Sequence, residues 1–408
     1  MHSVFGRILF AAGLGLTMQA RGQSLIKSDG PDGAPRLVNT DQAALEPGDP
    51  RHDLTCSVTP EKPVLGLDLK FHAGFTVAIP MREMEGAGDR LTVIFRVAPK
   101  NGGGAVYFSE HIRVPPITQT AGTALFTGSF DLGAGDYHVD WLIRDLAERY
   151  CSFYWDATAE RSAHDWNVAL AVAPNTIQAT VEDQFQPEVR SERAADPSLN
   201  VKVLMNFAPE KPNSAAISAR DRLALISILR DLTRNPHIGQ ISLVTFNLEQ
   251  QRVLYRQNLS RQIDFPALGR ALRSLNLGTV DYRQLQDPNR DVEFLSTLAK
   301  NEMTGGRNVD GLVFLGPKSR VDSAIPENAL KQIGEPRYPI FYLNYAPDPL
   351  ALPWRDAIGK MVKFYKGREF TISGPKDLFD AVSEVVERMT RSKLGRPAAT
   401  ISGRAGDP

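Results

Sequence analysis

Cysteine is scarce in this chain of 408 residues: there are two, Cys56 and Cys151, both in the first half. Their spacing matches no zinc or redox motif. In an oxidising compartment a disulfide is the natural reading; two buried thiols that never meet are the alternative. An excess of either charge is lacking too, with 47 Lys and Arg against 47 Asp and Glu. A nucleic-acid partner is therefore not expected, because displacing counterions takes a basic surplus. No apolar run reaches the roughly 20 residues that span a bilayer. Also missing are a Gly-x-Ser-x-Gly elbow, a Walker loop, H-E-x-x-H and a dinucleotide fingerprint. The histidines His52, His72, His111, His138, His164 and His237 show no ligand spacing. His72 and His138 fall on the polar phase of strands, where solvent-facing side chains are expected. No catalytic residue and no cofactor follow from any of this.

What is present suggests an exported protein of two domains. A hydrophobic share of 42% is enough for real cores, and the length calls for more than one. His2 and Arg7 precede an apolar stretch from Ile8 to Met18, and small residues follow at Ala20 and Gly22. Residues 1–22 thus read as a signal peptide cleaved before Gln23, which places the chain in the periplasm or outside the cell. No cysteine follows the stretch, so a lipid anchor is not expected, nor is a transmembrane segment in the mature chain. Residues 23–50, rich in Gly, Pro, Asp and Ala without a period, read as a flexible lead-in.

Residues 51–181 carry strand signals. Leu67, Leu69, Phe71, Ala73, Phe75, Val77 and Ile79 recur at every second position without a break, and so do Leu91, Val93, Phe95 and Val97. A period of two marks a strand with one buried face. Further strands are expected at 106–114, 125–132, 137–143 and 150–155, separated by Gly, Pro and Asn. Short strands at about ten-residue spacing point to an all-β sandwich. Gly135-Asp-Tyr137-His-Val139-Asp-Trp141 resembles the Gly-x-Tyr-x-Val strand of immunoglobulin-like sandwiches, in which the tyrosine hydroxyl ties a turn back to the sheet. Residues 157–167 read as an exposed insertion flanked by Trp155 and Trp166, for which core packing is favoured over ligand binding.

Residues 182–200 are polar with mixed charge and read as a linker. From Val201 to residue 391, strands and helices alternate, the mark of an α/β doubly wound, mostly parallel sheet. Val201 to Met205 is the first strand and 240–247 the second, with Ser218 and Asp221 as a capping box at the start of the helix between them. Arg252 to Tyr255 reads as an antiparallel edge strand. Helices are expected around Leu268–Leu275, Val292–Ala299, Ile358–Tyr365 and Leu378–Met389, and apolar strands at 311–315, 339–343 and 370–372. The tail, 392–408, has no apolar stripe and reads as disordered.

This order of elements, the hairpin after the second strand, Leu277-Gly-Thr279 and the ending Phe370-Thr-Ile-Ser-Gly-Pro-Lys-Asp377-Leu378 resemble the von Willebrand factor type A domain. The resemblance implies a metal-ion-dependent adhesion site: Asp-x-Ser-x-Ser on the first loop, a Thr on the second and an Asp after the fourth strand. Here the first-loop positions hold Asn206, Ala208 and Glu210, Thr279 matches the second-loop Thr, and the fourth-strand position falls near Gly316-Pro317. A hard cation needs clustered, charged oxygens. Asn206 is neutral and Ala208 brings no side-chain oxygen, so no metal is expected. The sheet's carboxyl edge, with Asn206, Glu210, Thr279, Asp281 and Lys318, is then expected to bind a protein partner. The alternatives are an adhesion module with a cation site rebuilt on Glu210, Thr279 and Asp281, and a hydrolase whose acid/base carboxylates leave no sequence trace.

Overall fold

The computed structural model describes residues 24–25, 39–45, 50–85, 89–117, 121–180, 184–188, 198–209, 217–273, 290–304, 308–318, 325–347 and 354–395. The signal segment 1–22 lies outside them. The chain divides into two units, Met1–Glu182 and Asp183–Pro408.

The first unit is built from strands. Its elements in chain order are β1 (Ser24–Leu25), α1 (Asn39–Leu45), β2 (Ser57–Leu65), β3 (Phe71–Pro80), β4 (Asp89–Pro99), β5 (Val106–Val114), β6 (Thr123–Leu132), β7 (Gly135–Arg144), β8 (Tyr150–Ala159) and β9 (Ile177–Ala179). One sheet has the order β1-β5-β4-β7-β8 and the other β2-β3-β6-β9, with every pairing antiparallel. The inward residues of both sheets share one core, with Phe71, Phe75 and Phe130 from one and Phe95, Phe108 and Trp141 from the other. Phe95 stacks on Phe108 with centroids 4.7 Å apart, and Phe75 meets Trp141 edge-on at 5.6 Å. Such pairs add about 0.5–1.5 kcal/mol beyond the area they bury. Cys56 and Cys151 form a disulfide with Cα atoms 6.2 Å apart. It joins the chain leading into β2 to β8, and so links the two sheets. The buried Tyr137 hydroxyl donates to the carbonyl of Gly133 at 2.9 Å, closing the turn before its own strand.

Four expectations need correction here. The alternation from Leu67 to Ile79 is not one strand: Leu69 adopts a left-handed φ of 66°, and the Gly66 N–H donates to the Lys70 carbonyl at 2.8 Å. That turn makes β2 and β3 a hairpin. The lead-in 23–50 is not wholly flexible either. β1 pairs with β5, and α1 lays Ala44 and Leu45 over Ile94, Leu142 and Tyr150. Asp41, buried, takes the Arg144 guanidinium on both carboxylate oxygens at 2.7 and 3.3 Å. Third, His72 is not solvent-facing. Its Nδ1 lies 2.9 Å from Asp131 Oδ1 and its Nε2 2.9 Å from Asp68 Oδ1. Burial opposes its charge, but the hydrogen bonds to the two carboxylates outweigh burial and raise its pKa from 6.5 to about 9. Fourth, Trp155 packs on the core beside Phe75, whereas Trp166 is 69% exposed.

The second unit holds β10 (Leu199–Asn206), α2 (Ala219–Arg234), β11 (Ile238–Asn247), β12 (Arg252–Ser260), α3 (Phe265–Arg273), α4 (Arg290–Thr304), β13 (Gly311–Pro317), α5 (Glu327–Ile333), β14 (Ile340–Tyr345), α6 (Ala357–Phe364), β15 (Arg368–Ile372) and α7 (Pro375–Leu394). Its six strands run β12-β11-β10-β13-β14-β15. All neighbours are parallel except β11 and β12, an antiparallel hairpin at one edge. The strands are apolar on both faces, as a sheet covered twice requires. Leu204, Phe314 and Tyr342 meet α4, α5 and α6 in one core. On the opposite face, Met389 of α7 fills the space where a Gly311 side chain would stand. Ser218 caps α2 through the N–H of Asp221 at 3.0 Å, as the capping box predicts.

Two boundaries also shift. Residues 184–188 of the expected linker are held on α2: Arg230 donates to the carbonyls of Gln184 and Gln186 at 3.0 and 2.9 Å and pairs with Glu188 at 3.1 Å. α7 runs to Leu394, into the expected tail, and Lys393 is tied to the Ser198 carbonyl at 2.6 Å and to Asp310 at 2.9 Å. Residues 396–408 lie outside the described residues.

Candidate functional site at the carboxyl edge of the parallel sheet

Open α/β sheets bind ligands outside the carboxyl ends of their strands, beside the point where strand order reverses. Here that point lies between β10 and β13. β10 ends in Asn206, which is fully buried, and its Oδ1 accepts from the backbone N–H groups of Ala208 at 3.1 Å and Leu248 at 3.2 Å. The loop that follows is bound to the end of β11. The Phe207 N–H donates to the Phe246 carbonyl at 2.8 Å, and Asn247 Nδ2 donates to the Phe207 carbonyl at 3.3 Å. Asn206 therefore acts as a bracket between two loops, with its oxygen committed to main-chain donors. The sequence placed it on a ligand-facing loop; its burial follows from the two N–H groups it satisfies.

Gly316, near the end of β13, lies beside it. Its φ is 154°, and a Cβ built there would come within 2.8 Å of the Asn206 carbonyl oxygen and 2.9 Å of the Asn206 Cβ. No side chain fits at that position, neither the family's aspartate nor any other. This is the point at which the resemblance implies a metal-binding carboxylate.

Lys318, expected among the binding residues of this edge, is engaged within the fold. Its ammonium donates to the Trp354 carbonyl, pairs with Glu369 at 3.2 Å and lies over the Trp354 ring at 5.7 Å. Glu369 also takes Arg355 at 3.3 Å. Below this group the fully buried Tyr342 hydroxyl meets Asp356 at 3.1 Å, and Asp356 caps α6 through the N–H of Gly359 at 2.8 Å. Burial, and then Asp356, hold the Tyr342 phenol well above its usual value of 10, so it stays a neutral donor. Glu210, Thr279 and Asp281 lie outside the described residues. Among the described residues, no three His, Cys, Asp or Glu side chains cluster closely enough to hold a metal ion.

Two features of this edge were not read from the sequence. Glu249, in the β11–β12 turn, has its pKa raised from 4.5 to about 7 by burial and by Asp291 at the start of α4. Asn344, on β14, is 1% exposed, and neither its Oδ1 nor its Nδ2 has a hydrogen-bond partner among the described residues. The only sequence signal was a carboxamide closing an otherwise apolar strand.

No family model matches the chain, and no curated protein does. Solved structures with some likeness include the Northeast Structural Genomics Consortium target SoR45, at 15% identity and a TM-score of 0.19, covering 28% of this chain and 97% of that one. A β-glucuronidase of Bacteroides uniformis is 11% identical with a TM-score of 0.19, covering 76% of this chain. A glycosyl hydrolase family 2 member from Bacteroides cellulosilyticus is 11% identical, also with a TM-score of 0.19, covering 77%. The chain spans 38% and 36% of those two enzymes' lengths. At such scores these likenesses carry no argument about fold or activity. No helix among the described residues is long and apolar enough to cross a membrane, which leaves β-barrels unaddressed.

Proposed function

We propose that the chain is an exported, non-enzymatic protein that works by protein–protein contact. Its second unit would be a von Willebrand factor A-like domain that uses no metal, and its first an immunoglobulin-like support. The strand order of the second unit, third-second-first-fourth-fifth-sixth with an antiparallel third strand, supports the domain reading. The Tyr137 corner supports the immunoglobulin-like reading. The disulfide favours an oxidising compartment.

One observation carries the metal-free claim: Asn206 Oδ1 is already shared by two backbone N–H groups. A cation placed there would compete with both donors and gain no carboxylate charge in return. Calorimetric titration with Mg²⁺, Mn²⁺ and Ca²⁺ tests it, and no binding heat is expected. A stoichiometric micromolar signal that Thr279→Ala abolishes would establish the rebuilt cation site instead.

A hydrolase reading draws on one specific observation, the raised pKa of Glu249 beside Asp291, since a carboxyl held near neutrality suits acid/base work. Asp291 is held by Gln251 Nε2 at 2.6 Å in the first turn of α4, where a helix dipole favours its charge. Both groups therefore also have a structural account. Generic ester, peptide and glycoside substrates are expected to give no turnover. Turnover lost in Glu249→Gln would reverse the reading.

A further inference from the structure

The covered face of β13 and β14 changes character over one step. Leu204, Phe314 and Tyr342 form a cross-strand row inside the core. The next row on that face runs through Asn206, Gly316 and Asn344, because side chains alternate along each strand. Gly316 pairs with Asn344, and Asn344 with Thr371. The Asn206 oxygen is satisfied by its loop, Gly316 brings no side chain, and Thr371 at the far end is exposed. Between them the Asn344 carboxamide is buried with both polar atoms unpartnered among the described residues. A fold keeps such a group, at a cost in stability, where something outside the fold completes it.

We propose that the end of β14 is a binding site for the primary carboxamide of an Asn or Gln side chain of a partner protein, held by two parallel hydrogen bonds to Asn344. A carboxamide sets one acceptor beside one donor, and its complement is a group that does the same, as another primary carboxamide does; a trans peptide amide turns its N–H and C=O to opposite sides. A carboxylate would put its charge against Oδ1, and a guanidinium would leave Nδ2 without an acceptor. The nearby charges do not call for an ion, since Lys318 and Arg355 are paired with Glu369, and Asp356 accepts from Tyr342 and Gly359. The proposal rests on the protein-contact reading above and adds to it which group of the partner is recognised.

The test uses the full chain with ¹⁵N-labelled asparagine side chains, with the Asn344 amide signal assigned by its loss in Asn344→Leu. Acetamide is the probe, with acetate and guanidinium as the other arms. The Asn344 signal is expected to move with acetamide and with neither ion. No movement with the amide, or equal movement with all three, overturns the proposal. Asn344→Leu is also expected to melt about 2–4 °C higher, because it removes two unsatisfied polar atoms. Melting several degrees lower would mean that the fold itself satisfies the carboxamide, and would overturn the site. The cation titration decides the metal-free reading separately, so each can fail without the other.

Discussion

Both units cross-link buried polar groups, Lys202 with Glu302 and Lys393 with Asp310 in the second, but the first adds a covalent tie and the second leaves a carboxamide unpartnered at its sheet's carboxyl edge. In the first, Arg144 reaches Asp41, Arg149 reaches Glu83 and His72 reaches Asp131 over long sequence distances, while Asp145 and Asp68 add local partners to Arg149 and His72. A disulfide adds a covalent tie across 95 residues. The second unit has no cysteine. At its carboxyl edge, one carboxamide is spent on bracing loops and another, Asn344, has no partner among the described residues. The division is not absolute, since Arg96 Nε, Trp141 Nε1 and Asn175 Oδ1 in the first unit are also without partners among the described residues. Groups closed on one another make a scaffold, whereas the unpartnered carboxamide at the sheet's carboxyl edge is the contact point of the proposed function.

Reduction should separate the units most sharply. In the chain-entropy model, a tie across 95 residues is worth about 4–5 kcal/mol. Dithiothreitol, or Cys56→Ala with Cys151→Ala, is expected to lower the first unit's denaturant midpoint and leave the cysteine-free unit's unchanged. A common shift in both transitions would break the comparison.

Gly316→Ala comes next and acts in the other unit. Its left-handed φ and the contact with Asn206 predict a loss of about 2–4 kcal/mol, read by urea unfolding. A neutral result would mean that β10 and β13 separate easily there, and the bracket account would fail.

The His72 cluster gives a pH signature confined to the first unit. Because its pKa is raised from 6.5 to about 9, its contribution is complete below pH 6.5 and is lost as pH rises through 9. At about 1.4 kcal/mol per unit, that amounts to roughly 3–4 kcal/mol. Asp131 is shifted down; burial opposes this, and the hydrogen bond from His72 outweighs it. Its share is therefore lost on the acid side, as pH falls through its lowered value. His72→Gln should flatten the loss between pH 7 and 9.5, as followed by denaturant midpoints.

The smallest effect belongs to Glu249. A carboxyl raised from 4.5 to about 7 favours the folded state at low pH and loses that advantage as pH rises through 7. Glu249→Gln should stabilise the second unit at pH 8 by about 1 kcal/mol, after discounting for partial solvation, and leave it unchanged at pH 4. Thermal melts at the two pH values check this.

Much of the element order was legible in the sequence because period and capping are local. The strand at 311–315, the capped helix after Ser218 and the edge hairpin at Arg252 all follow from residues within a few positions of one another. What was not legible depends on distant partners. α1 spans seven residues, too few for a periodic signal, and is held by Arg144, 103 positions away. Lys318 was read as a binding residue of the edge, and its partners come from Trp354 and Glu369. The candidate site was legible only as a place, the carboxyl edge. Asn206 was expected there as a binding residue and is instead internal bracing, while Asn344 went unremarked because a single polar residue does not disturb an apolar strand pattern.

Anomalous diffraction from crystals of the full chain grown in manganese bears most directly on the central claim. The account predicts no anomalous peak within coordination distance of Asn206 Oδ1, with the Ala208 and Leu248 N–H groups still bonded to that oxygen. A peak there, with those two N–H groups released, would contradict it.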